Sequence, residues 1–95
     1  MRTFHQHKHE LHGITVVVEA AGPDGGAAET YVGRCDDIVG GRIVLLDGDV
    51  HREGASAVSK EDFLKKAARF GPWKTFDHTL VDTARVTSIR RLGDL

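Results

Sequence analysis

Residues 31–50, Y-V-G-R-C-D-D-I-V-G-G-R-I-V-L-L-D-G-D-V, decide the fold of this chain. Tyr31, Gly33 and Cys35 alternate along one face, as a half-buried strand requires. Gly33 in mid-strand marks a bend, where a strand curls around a barrel. Gly40-Gly41 is a tight hairpin connection. Arg42 to Leu46 is then a third strand, and Asp47-Gly48-Asp49 reads as the turn that ends it. Two strands joined this closely pair antiparallel and twist strongly.

Upstream, I-T-V-V-V-E-A at 14–20 is rich in β-branched residues and reads as the first strand. Ile14, Val16 and Val18 are its expected buried set. Gly22-Pro23-Asp24-Gly25-Gly26 is a strong turn signal, and the second strand runs from Glu29 to Asp37. Downstream, Ser59 is a good N-cap for a helix over residues 59–70. Glu61 and Asp62 suit its positive end, and Lys65, Lys66 and Arg69 its negative end. Phe63, Ala67 and Phe70, with Leu64 and Ala68, form an apolar stripe that must dock on something. Gly71-Pro72 stops the helix. Trp73 to His78 is an aromatic connector. Short strands at Thr79–Val81 and Val86–Leu92, linked through Asp82–Arg85, complete five.

The expected fold is therefore mostly β, one domain over residues 1–95. It is a small, five-stranded, strongly bent SH3-like or OB-like barrel with one short α-helix inserted between strands 3 and 4. Residues 1–12 are expected to form a flexible or short-helical, His-rich N-terminus.

The net charge of −1 supplies no overall basic field for nucleic acid or an anionic membrane. The distribution is uneven: residues 1–50 carry −4 and residues 51–95 carry +3. Cys35 is the single cysteine, so no intrachain disulfide forms and a cytoplasmic setting is the simplest. No apolar run is long enough to span a membrane.

The order of strands and turns resembles the Sm-like family, whose members are strongly bent, five-stranded barrels that form rings and usually bind RNA. Residues 31–50 resemble its first motif, with Gly33 as the matching glycine, Val44, Leu45 and Leu46 as the apolar strand, and Asp47 as its acidic end. Leu80 to Ile89, L-V-D-T-A-R-V-T-S-I, resembles the second. The ending Ile89-Arg90-Arg91-Leu92-Gly93-Asp94 is also similar to that of small bacterial proteins with this strand spacing. The departures lie at the RNA pocket. In the family an Asp and an Asn help to hold the base; Val39 and Ile43 stand at those positions here. The family's Arg-Gly pair is Asp82-Thr83 here. Apolar side chains cannot read a base edge, and a carboxylate repels phosphate. The usual base pocket is therefore not expected.

Other chemistry is sparse. His5, His7, His9 and His12 offer imidazoles at strand or helix spacing. A terminus without rigid support does not build a metal site, so no metal or cofactor is assigned. Cys35 is expected to be buried and unreactive. Asp36-Asp37 and Asp47-Gly48-Asp49 read as turn residues, and no phosphate loop or nucleophile motif is present.

An enzyme is not expected. The leading expectation is a non-enzymatic assembly domain that self-associates through its sheet edges into a homo-oligomer, a ring being the closed form. Leu80, Val81, Val86 and Ile89 are the candidate interface residues. Lys65, Lys66, Arg69 and Arg85 are the weak candidates for contact with RNA. The alternative is a peptide- or protein-binding SH3-like module without nucleic acid.

Overall fold

The computed structural model describes residues 10–95. Five strands and one helix follow in order: β1 (Thr15–Ala20), β2 (Glu29–Val39), β3 (Arg42–Arg52), α1 (Lys60–Phe70), β4 (Phe76–Asp82) and β5 (Val86–Arg91). They form one antiparallel sheet in the order β4-β3-β2-β1-β5. The expected strands and the expected helix are present. The His-rich positions His5, His7 and His9 lie outside the described residues.

Two departures from the sequence reading have physical causes. β3 does not stop at Asp47; it runs through to Arg52. Asp47 adopts a left-handed φ of 50°, and the pairing of β3 with β2 slips between Val32↔Asp49 and Arg34↔Leu46. The turn chemistry of Asp47-Gly48 is thus used for a β-bulge inside a strand rather than for a turn between strands. A second slip, between Cys35↔Leu45 and Asp37↔Val44, places an extra residue on β2. β4 also starts earlier than expected, at Phe76.

The bulges let the sheet bend. β4 ends beside the start of β3, Asp82 against Arg42, and β5 starts beside the end of β1, Val86 against Ala20. Those two places lie at opposite ends of β2, whose 11 residues span about 33 Å when straight. A single 3-10 turn, Thr83–Arg85, joins them, and four Cα steps reach at most about 15 Å. A flat sheet cannot satisfy both lengths, so its long central strands curve. The turn is tied at each side: Thr83 donates through N and Oγ1 to the Gly41 carbonyl, both at 2.9 Å, and the Ala21 N–H donates to the Arg85 carbonyl at 2.8 Å.

The curved sheet has two apolar faces. Val16, Val18, Tyr31, Cys35, Ile43, Leu45 and Val81 fill the main core. On the other face, Val17 and Val32 pack beneath Phe63 and Ala67 of α1. β1 was expected to bury alternate residues only; here Val16, Val17 and Val18 are all fully buried, because α1 covers the face that would otherwise meet water. Ser59 caps α1 by accepting the Asp62 N–H at 3.1 Å, and Gly71, at φ 82°, ends it. Phe70 corrects the expected stripe. It lies beyond the sheet and is 76% exposed. Ala68 is exposed as well.

Candidate interaction surfaces

The curvature leaves two strand edges. Among the described residues, β4 pairs only with β3 and β5 only with β1. Their charges differ in sign. β4, F-D-H-T-L-V-D, carries Asp77 and Asp82 and no Lys or Arg; β5, V-T-S-I-R-R, carries Arg90 and Arg91 and no carboxylate. Asp82 accepts the Ala84 N–H at 2.9 Å, and Arg90 reaches Glu19 at 3.1 Å. Asp77 and Arg91 are exposed.

The four candidate interface residues divide by face. Leu80 is half exposed, at 50%, whereas Val81 is 1% exposed and belongs to the core. Val86 and Ile89 are partly buried against that same core. Only Leu80 therefore offers an apolar side chain freely to a partner. Val81, Val86 and Ile89 belong to an edge through their backbone.

The four basic candidates are not brought together. Lys65, Lys66 and Arg69 stand exposed on α1, and Arg69 lies over the Phe70 ring at 5.3 Å. Arg85 is drawn inward instead. Its Nη2 donates to Glu29 Oε1 at 2.8 Å, an oxygen that also accepts the Tyr31 hydroxyl at 2.7 Å. Arg52 Nε donates to Glu29 Oε2 at 2.6 Å. Glu29 is 3% exposed. Burial opposes its charge, yet the Tyr31 hydrogen bond and the two guanidinium groups hold its pKa below the ordinary carboxylate value. This cluster fastens the β4–β5 turn to the start of β2. Sequence spacing had no means to pair residues so far apart.

Ile43 is a core residue, and Val39 is exposed and apolar. Cys35 is buried as expected, and burial, followed by Asp37 and Asp36, raises its thiol pKa. His12 sets its Nδ1 on the Asp36 carbonyl. His51 is also buried, with Nε2 2.7 Å from the Val58 carbonyl and its ring against Phe63. Among the described residues, no three His, Cys, Asp or Glu side chains converge to hold a metal, and no helix is long and apolar enough to cross a membrane.

The sequence already sets Phe70, Trp73 and Phe76 beside the basic residues Lys60, Lys65, Lys66, Arg69 and Lys74, a pairing that suits single-stranded nucleic acid; the hollow between the rings was not legible in it. Past the end of α1, Phe70 and Trp73 flank a hollow of about 500 Å³ lined also by Lys66, Pro72 and Lys74. Trp73 is 77% exposed. The Gly-Pro stop places both rings past the sheet that would have covered them. No family model, curated protein or solved structure matches this chain.

Proposed function

We propose that this chain is a non-enzymatic, Sm-like assembly domain. Its bent sheet is an SH3-like barrel, open between β4 and β5, and the gap is filled by neighbouring copies. β4 of one copy pairs with β5 of the next. Such a contact is heterologous, and a constant rotation closes it into a ring.

One observation carries this reading: two edges of opposite charge on one curved sheet, each without a further strand partner among the described residues. Unpaired edges are templates for strand addition. Pairing β4 with β5 brings edges of opposite net charge together, whereas β4 with β4 or β5 with β5 joins edges of the same sign. Antiparallel pairing brings the start of β4, with Asp77, against the end of β5, with Arg91. Light scattering tests the reading. A mass that rises with concentration to a fixed multiple of 10.4 kDa supports it; a monomer at every concentration overturns it.

The exposed Lys65, Lys66 and Arg69 favour a second reading, in which the assembled domain holds single-stranded RNA by its backbone. Binding then falls steeply with salt. No retention of RNA at low salt rules this second reading out.

A further inference from the structure

Trp73, the one tryptophan of the chain, stands three residues before Phe76, the first residue of β4. Folding leaves its indole 77% exposed, although an aromatic ring of this size is among the largest contributors to buried area when covered. At the opposite edge of the sheet, a hollow of about 340 Å³ lies beside the end of β5. Leu11, Ile89, Arg90, Arg91 and Asp94 line it. Asp94 stands three residues beyond Arg91, the last residue of β5.

Antiparallel pairing of β4 with β5 of another copy sets the start of one strand beside the end of the other. The same pairing carries Trp73, just ahead of β4, toward the hollow just past β5. The chemistry of the two sides matches. Leu11 and Ile89, each partly buried against the main core, leave only their outer edges to the hollow as apolar lining. A guanidinium of Arg90 or Arg91 can lie over an indole face. Asp94 can accept from the indole N–H, or pair with Lys74 beside the ring. The hollow is open to solvent on one side, so an indole can lie against its lining without the β5 end having to part.

We propose that Trp73 of one copy seats in the hollow at the end of β5 of the neighbouring copy and locks the edge pairing. This inference rests on the edge-pairing reading. It gives the assembly a side-chain anchor, of the kind that dominates interface energy.

Trp73 reports on its own seating. The wild-type protein is diluted through its assembly range while mass and tryptophan emission are followed together. Emission moving to shorter wavelength in step with rising mass supports the seating. In parallel, chains carrying Trp73→Cys are mixed with chains carrying Asp94→Cys and oxidised. A linked dimer formed in the mixture, and not from either chain alone, supports it again. Trp73→Ala should raise the dissociation constant at least about tenfold with unfolding unchanged, because the ring touches little within its own copy. Assembly with unshifted emission and no mixed cross-link overturns the seating while leaving the edge pairing intact. A monomer throughout overturns both. An emission shift produced by single-stranded RNA on the monomer also overturns the seating.

Discussion

A Cβ added at Gly48 would stand 2.1 Å from the Val32 carbonyl oxygen and 2.6 Å from the Phe76 ring. At Gly33 the nearest approach is 3.2 Å, to the Leu46 carbonyl. The two glycines let β2 and β3 cross closely where the sheet bends. Gly48→Ala should therefore lose about 3 kcal/mol or more, and Gly33→Ala about 1 kcal/mol, in urea unfolding. The Gly33 bend was legible in the sequence, since a glycine in a strand invites one reading. Gly48 was not, since D-G-D serves a turn and a bulge equally well. The buried Glu29 cluster and the separate, partly buried ion pairs of Glu19 supply a pH prediction. Lys60 hydrogen-bonded to Glu19, helped by Arg90, lowers that carboxyl's pKa against a desolvation cost; Glu29 is lowered by Tyr31, Arg52 and Arg85 against its own burial. A lowered native pKa stabilises the fold fully above the unfolded carboxylate pKa, about 4.3. That contribution disappears as pH falls through the native value. Stability should be level toward neutral pH and decline below about pH 4.3, with a shallower acid slope in Glu29→Gln. Glu29→Ala should cost about 3 kcal/mol, because Arg85 then has no buried counter-charge.

The elements separate fold stability from assembly. α1 holds the outer face of the sheet through Phe63 and Ala67, while Phe70 and Trp73 lie off it. Phe63→Ala should cost about 3 kcal/mol and Ser59→Ala about 1 kcal/mol in thermal or urea unfolding. Phe70→Ala should stay within about 0.5 kcal/mol. The helix was legible from its cap, charge pattern and stop. Which of its apolar residues reach the sheet was not, because an 11-residue helix carries more apolar positions than the sheet beneath it covers. The same gap explains Arg85. Its type suggested a free cation, and only the three-dimensional path of the β4–β5 turn brings Glu29 beside it.

For the whole molecule, strand order and curvature decide what can assemble. The sequence predicted five short strands and one inserted helix. The sheet order, with its edges at β4 and β5, follows from the short Thr83–Arg85 connection joining two strands that are not neighbours. Opposite charge at those edges makes a swap informative. Asp77→Lys should weaken assembly, and Arg91→Asp should weaken it likewise. The two chains mixed should recover it in part, because each mutant edge then meets an edge of opposite charge. Added salt should loosen the wild-type assembly modestly, since these charges lie at the surface. The most direct test of edge-to-edge assembly is the light-scattering mass of the wild-type chain up to about 1 mM, where even weak specific contacts populate. Edge pairing predicts a discrete multiple of 10.4 kDa; a mass that stays at 10.4 kDa would contradict it.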